Sequence, residues 1–332
     1  MIKRNLHLID DGNGCIRLGQ SMETSYLLSG NPEDIVMSLN ALANCETKSD
    51  LKEKYSSTTN PTLEEIEKFI DAHSRLPIWE DGKVKGRRQL YLETIGSDIQ
   101  FIYGIENSVI TIIGLGGVGS SVAIQLCKFG FSNFFLFDGD IVEEENLFKC
   151  LAYDENNIGK NKAESLREKL IEINPKVIVE AIPNFYLNSM SRTPFLDKSM
   201  KHMIVQCADK EATKVLEKIK FEYEGTSAIV VTAGCFEQFI TAGPTLRVSE
   251  LEIYLRIITK DNVQNLSKKV NEFNNTVINV GIVSSVLMAA SLIVNEVINC
   301  IFLCKPSLCG RQIRFHLLTL TVDNINLNLE GL

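Results

Sequence analysis

The run VITIIGLGGVG, residues 109–119, sets four glycines as G-x-G-G-x-G directly behind five β-branched residues. A buried strand entering such a turn brings bare backbone up to a polyphosphate, and the helix that follows turns its unpaired N–H groups toward the negative charge. Gly114, Gly116, Gly117 and Gly119 are therefore the candidate phosphate contacts. Asp138 closes the next apolar segment, NFFLFD, 24 positions after Gly114, where a carboxylate can accept hydrogen bonds from a ribose, and Asp140 is grouped with it. These residues define a nucleotide site and leave the nucleotide open.

Elements of a particular kind must hold such a site. From residue 90 to 332 the chain alternates apolar strand patterns (VITIIGL, NFFLFD, KVIVEAI, HMIVQCAD, SAIVVTAG) with helical ones (SVAIQLCKFG, KAESLREKLIEI, EATKVLEKIKFEY). That alternation predicts an α/β fold, a Rossmann-like doubly wound and mainly parallel sheet, with GPTLRV and RQIRFHLLTLTVDNINLNL closing it as antiparallel strands. Residues 1–80 differ. NLHLIDDGNGCIRLGQ reads as a hairpin and SYLLSG as a third short strand. Asn31-Pro32 and Asn60-Pro61 read as starts of PEDIVMSLNALA and TLEEIEKFIDAHS. Strands and helices in this order predict a small winged-helix-like α+β domain, and the polar DGKVKGRRQ, 81–89, a linker.

Composition narrows the function classes. Among 332 residues, 45% hydrophobic, 34 basic stand against 42 acidic side chains, a net charge of −8 that opposes nucleic acid and anionic membrane as partners. Nine cysteines without a C-x-x-C pair, and no signal-peptide pattern at the start, are read as reduced thiols in a cytoplasmic protein. Residues 276–303 are apolar enough to imitate a membrane span, yet Asn279, Ser284, Ser285, Asn295, Glu296 and Asn299 interrupt them, and a buried helix beneath the sheet is expected.

A dehydrogenase would share the glycines and the ribose acid, so the residues after Asp138 decide. Asn146-Leu147-Phe148-Lys149, Gly159-Lys160-Asn161-Lys162-Ala163-Glu164 and Gln206-Cys207-Ala208-Asp209 follow in order. This set, over residues 86–325, resembles the E1-like (ThiF/MoeB-type) adenylating family. The resemblance implies ATP and Mg²⁺ as cofactors, Asp138 as the ribose acid, Lys162 on the phosphates and Asp209 on the metal. It also puts Asn146 and Lys149 at the family's N-x-x-R positions, with Lys replacing Arg, so that a bidentate grip becomes a point charge. Arg88-Gln89 matches the family's R-Q pair, whose Arg reaches into the partner subunit's site, which implies a homodimer. The bland alternatives are surface lysines for Lys149 and Lys162, and a helix N-cap for Asp209.

The departures carry information too. Many relatives hold zinc with two C-x-x-C pairs; none is present here, and no zinc is expected. No cysteine lies between Cys235 and Cys300, where acyl-transferring members place a thiol. Cys150 and Cys235 are weighed as nucleophiles against small core residues. A strand-and-helix module ahead of an E1-like domain resembles the leader-recognition domain of enzymes that modify ribosomally made precursor peptides, such as those acting on the microcin C7 and pantocin A precursors. That implies adenylation of a peptide carboxylate, such as a Glu side chain, toward a peptide-derived antibiotic. Two alternatives stay open: adenylation of a ubiquitin-like sulfur carrier, and an NAD-dependent or nucleotide-sensing Rossmann protein.

Overall fold

The computed structural model describes residues 6–13, 15–19, 25–76, 104–105, 107–190, 200–236, 238–260, 281–303 and 306–327. Arg88, the 81–89 segment, and residues 276–280 of the apolar run lie outside the described residues. The chain divides into two units, Met1–Asp98 and Ile99–Leu332.

In the first unit, β1 (His7–Asp10), β2 (Ile16–Gly19) and β3 (Tyr26–Leu28) form an antiparallel sheet in that order. The Asp11 carboxylate fixes the first turn by accepting the N–H of Asn13 at 3.0 Å and of Cys15 at 3.2 Å. Helices α1 (Pro32–Ala43), α2 (Lys48–Lys54) and α3 (Leu63–Ala72) follow. Ile16, Leu18 and Leu28 pack with Ile35, Leu39, Leu42, Leu51, Ile66 and Phe69 into one core. Asn31 caps α1 by accepting from Glu33 N–H. The start of α3 differs from the expectation at Asn60-Pro61: Thr62 is the N-cap, in a capping box with Glu65. His73 is satisfied in this core, its Nδ1 against the Phe69 carbonyl at 2.9 Å and its Nε2 accepting the Ser29 N–H at 3.0 Å.

The second unit is the doubly wound α/β fold with a single eight-stranded sheet. Its strands are β4 (Ser108–Ile113), β5 (Asn133–Phe137), β6 (Ile178–Ile182), β7 (Lys201–Gln206), β8 (Ile229–Cys235), β9 (Phe239–Arg247), β10 (Arg311–His316) and β11 (Val322–Asn326), in the order β11-β10-β9-β8-β7-β4-β5-β6. Pairings from β8 to β6 are parallel, and those from β8 to β11 antiparallel. The reversal of direction from β4 puts a crevice at the carboxyl ends of β4 and β7, where open α/β sheets bind ligands. Helices α4 (Gly117–Phe129), α5 (Lys162–Ile173), α6 (Ala212–Glu222), α7 (Leu251–Lys260) and α8 (Val283–Ile298) cover the sheet.

The apolar helix is the core element expected. Val283–Phe302 is long and apolar enough to cross a membrane, yet 61% of its apolar window is buried inside the protein. Its carboxylate Glu296 is buried too, accepting from Thr245 Oγ1 at 2.6 Å, Leu308 N–H at 2.8 Å and Ser307 N–H at 2.9 Å. Three donors meet the hydrogen-bonding demand of a buried carboxylate that would otherwise cost several kcal/mol, about 1–3 for each group left unpaired.

Candidate active site

Strand β4 buries all six of its residues, so its exit is fixed and the glycines begin where the sheet ends. Gly114 adopts φ +87°, and a Cβ there would lie 2.7 Å from the Ala208 nitrogen. A Cβ on Gly119 would come within 1.9 Å of the Gly114 carbonyl oxygen. Both glycines are thus required by packing of the turn itself. Gly116 is different: a Cβ there would meet nothing within 4 Å, because that face of the turn opens into a cavity. Tyr153 supports the turn from behind, its hydroxyl donating to the Leu115 carbonyl at 2.7 Å. Burial pushes the Tyr153 phenol well above its ordinary pKa, so it remains a donor.

Asp138 leaves β5 buried, with Oδ2 accepting the Leu115 N–H at 2.7 Å and Oδ1 the Asp140 N–H at 2.9 Å. Burial raises its pKa, while those two N–H groups and Lys162 pull it back. Each oxygen keeps a second lone pair for a ligand hydroxyl. Lys162 is the first residue of α5, and its ammonium lies 3.2 Å from Asp140 Oδ2 with only 10% of the side chain exposed.

Asn161, a residue with no role in the sequence reading, joins these parts. Its Oδ1 caps α5 by accepting from Ala163 N–H at 2.8 Å and Glu164 N–H at 3.3 Å. Its Nδ2 donates to the carbonyls of Asp138 at 3.0 Å and Asp140 at 3.1 Å. The Asn-Lys-Ala-Glu start of a helical pattern is a visible N-cap signal; the two bonds back to the loop that follows β5 are not.

One cavity of ≈ 770 Å³ brings the expected residues together: Gly114, Gly116, Gly117, Gly119, Asp138, Asp140, Asn146, Lys149, Lys162 and Asp209 all line it. This volume suits a nucleotide-sized ligand. Asn146 is buried in the 3₁₀ turn Glu144–Phe148, its Oδ1 accepting the Glu143 N–H at 3.0 Å, and its carbonyl takes the N–H groups of Lys149 and Cys150. Asp209 is exposed and does not cap α6, which starts after Glu211. Phe185, Tyr186, Leu187 and Val215 add an apolar wall. Lys218 steadies it by donating to the carbonyls of Tyr186 at 2.6 Å and Ser189 at 2.7 Å.

The thiols are poor nucleophiles in this setting. Burial pushes Cys150 up to about 11, and Cys235, on the cavity wall, is also raised, although Ser285 and Lys149 oppose the shift. Among the described residues no three His, Cys, Asp or Glu side chains converge on a point.

A doubly wound sheet with a glycine turn, a buried acid behind it and lysines over the crevice defines a nucleotide-binding α/β protein. More narrowly, the chain belongs to the ThiF family, whose pattern it matches over residues 87–330. It is similar to adenylyltransferase and sulfurtransferase MOCS3 of Drosophila virilis, 34% identical over 129 residues, which is 39% of this chain and 27% of that protein. Ubiquitin-like modifier-activating enzyme 5 of Caenorhabditis briggsae is 40% identical over 86 residues, 26% of this chain and 19% of that one. The chain therefore matches about a fifth to a quarter of the length of these curated relatives. Among solved structures, Escherichia coli MccB with ATP superposes with a TM-score of 0.73 at 18% identity, over 98% of this chain and 96% of that one. PaaA superposes with a TM-score of 0.71 at 22% identity, over 98% and 99%. The E1-like fold expected from the motifs is the fold observed.

Proposed function

We propose that this protein uses ATP to adenylate a carboxylate of a ribosomally made precursor peptide, a Glu side chain for example, in the making of a peptide-derived antibiotic. The observation that carries the reading is the single cavity in which the glycine turn, Asp138, Lys149, Lys162 and Asp209 meet. A carboxylate oxygen of the peptide attacks the α-phosphorus, the bond to the bridging oxygen breaks, and pyrophosphate leaves. Such a displacement is catalysed by alignment and charge neutralisation.

The residues present fit ATP. The open face at Gly116 is the room a phosphate needs, and the first residues of α4 line the same cavity, where the unpaired N–H groups of a helix start favour an anion. Asp138 has lone pairs for the ribose, and Phe185, Leu187 and Val215 offer an apolar seat for the base. Lys162 and Lys149 set positive charge beside the phosphates. Asn146 fixes the Lys149 backbone through its carbonyl. Asp209 would hold Mg²⁺, an ion that takes one or two carboxylates and completes its shell with phosphate and water, and supplies charge neutralisation when bound. Arg88 from the second subunit of a homodimer completes the cations.

In the amino-terminal unit, an edge of the three-stranded sheet takes the leader as an added strand; the outward Leu27 on β3 is an apolar contact for it. The fold shared with MccB, solved as a microcin C7 biosynthetic enzyme in complex with N-formylated MccA, supports a peptide substrate, and a cytoplasmic setting is part of the same proposal. The segments shared with MOCS3 favour a second reading, adenylation of the C-terminal glycine of a ubiquitin-like sulfur carrier.

The test is incubation with Mg·ATP and the short peptide encoded beside the gene, following pyrophosphate and peptide mass, with hydroxylamine to trap and locate the activated carboxylate. Peptide-dependent pyrophosphate is expected. Release with a Gly-Gly-tailed carrier instead selects the second reading, and NAD binding without any release rejects both. Asp209→Ala should fold and lose turnover; retained turnover removes its metal role.

A further inference from the structure

Strand order lays this cavity out in sequence. The glycine turn follows β4, Asp138 follows β5, and the segment after β6 comes next, because β4, β5 and β6 are neighbours in the sheet. Two strand spacings, roughly 10 Å, separate the first of these ends from the last, the scale on which a nucleotide extends from its phosphates to its base. At the third end Phe185 lies against the backbone that follows Asp138: a Cβ on Gly139 would come within 2.8 Å of both the Phe185 nitrogen and its ring. The ring is 47% exposed, and it lines the cavity together with Leu187 and Val215.

Phe185 leads into a single 3₁₀ turn, Tyr186–Asn188, whose hydrogen bonds are poorly aligned and hold little by themselves. The hold comes from α6. Lys218 donates to the carbonyls of Tyr186 at 2.6 Å, Leu187 at 3.3 Å and Ser189 at 2.7 Å, which occupies all three ammonium protons. The same ammonium lies 4.9 Å from the centre of the Tyr186 ring and 3.6 Å from Glu222 Oε1. Glu222 Oε2 accepts the Tyr186 hydroxyl at 2.5 Å, and the Tyr186 ring meets Phe137, the last residue of β5, edge-on at 5.0 Å. Burial and the Glu222 carboxylate push the Tyr186 phenol far above its ordinary pKa, so the proton stays on Tyr186. Val215, Lys218 and Glu222 fall on one face of α6, three and four residues apart, so one helix carries both this clamp and part of the cavity wall. The side chain of Glu222 is 6% exposed and that of Lys218 20%; desolvating two charges to that degree returns little net stability, which leaves the pair poorly explained as a fold device alone. Lys218 itself does not line the cavity.

We propose that Lys218 is a positioning residue for the nucleotide base: by holding the carbonyls of Tyr186, Leu187 and Ser189 it fixes Phe185 over Gly139 as the surface on which the base lies, without touching the ligand. This rests on the reading of the cavity as an ATP site. The clamp acts on the base end alone, since the glycine turn and Lys162 belong to β4, α4 and α5.

Calorimetry on the full-length protein tests this by comparing Mg·ATP with Mg·pyrophosphate, a ligand that has phosphates and no base. Lys218→Met should weaken Mg·ATP about tenfold, the upper end of what one well-placed aromatic contact contributes, and leave pyrophosphate within about twofold of wild type. Lys162→Met, at the phosphate end, should weaken both. Because Lys218→Met leaves Glu222 buried without its cation, the double variant Lys218→Met/Glu222→Gln, in which the amide oxygen still accepts from Tyr186, is measured in the same way if the single variant does not fold. Equal weakening of ATP and pyrophosphate, or no weakening of ATP, overturns the inference. A wild type that binds ATP but activates no carboxylate defeats the adenylating reading and leaves this comparison in force; one that binds NAD in place of ATP is read through NAD against pyrophosphate, and one that binds neither overturns both.

Discussion

Asn161 makes the sharpest mechanical prediction, because its carboxamide does two separable jobs. Capping α5 is worth about 1 kcal/mol. The two bonds from Nδ2 to the carbonyls of Asp138 and Asp140 add about 1 kcal/mol each. Asn161→Ala removes all four hydrogen bonds and should cost about 3 kcal/mol, which for a unit of this size lowers Tm by roughly 6–12 °C. Asn161→Ser keeps a capping oxygen and loses only the two bonds to the loop after β5, so it should cost about 2 kcal/mol. Because those bonds hold Asp138 and Asp140 against the start of the helix that carries Lys162, the KM for ATP should rise about tenfold in both variants, the equivalent of 1.4 kcal/mol. Calorimetry gives the first quantity and initial rates of pyrophosphate release the second. An Asn161→Ser protein as stable as wild type with an unchanged KM for ATP would refute the proposed tie between the loop after β5 and the start of α5.

The glycines should separate sharply by role. Gly116→Ala should melt like the wild type and lose ATP binding at least tenfold, since its Cβ enters only the open cavity, whereas Gly119→Ala should fold poorly because its Cβ falls 1.9 Å from a backbone oxygen. Equal melting of the two would contradict the geometry. Lys162→Met should cut pyrophosphate release by two orders of magnitude or more while shifting stability by less than about 1 kcal/mol, because its partner Asp140 is half exposed and such pairs are weak. Asp138 predicts a pH dependence. Burial raises its folded pKa above the unfolded value near 3.9, so the native state holds the proton more tightly, and this group withdraws stability as pH rises through that window. Asp138→Asn should therefore gain stability relative to wild type as the pH rises from the unfolded value toward neutrality, measured by denaturation midpoints; a difference that stays constant with pH would sink the assignment.

Local pattern determined much of this protein. The β-branched run and glycines fixed a strand, a turn and a helix start, because close packing at Gly119 and positive φ at Gly114 leave few other residues possible. Asn31 before Pro32 marked a helix, and the interrupted apolar run marked a buried helix instead of a span. Short-range signals also misled. Asn60-Pro61 resembled a cap, but the reciprocal bonds of Thr62 and Glu65 place the start of α3 later. Gly243-Pro244 looked like the beginning of a strand, yet β9 starts at Phe239 and runs through it, because Thr232 and Gln312 supply bonds to the Gly243 carbonyl where the ladder is irregular. Helices α2 and α7 escaped the sequence reading. What the tertiary structure alone decided is convergence. Tyr153 reaches Leu115 across 38 positions, Asn161 reaches Asp138 across 23, and Gln312 reaches Gly243 across 69. The residue types for chemistry are a property of the chain, but their hydrogen bonds to distant backbone depend on strand order, which no local periodicity encodes.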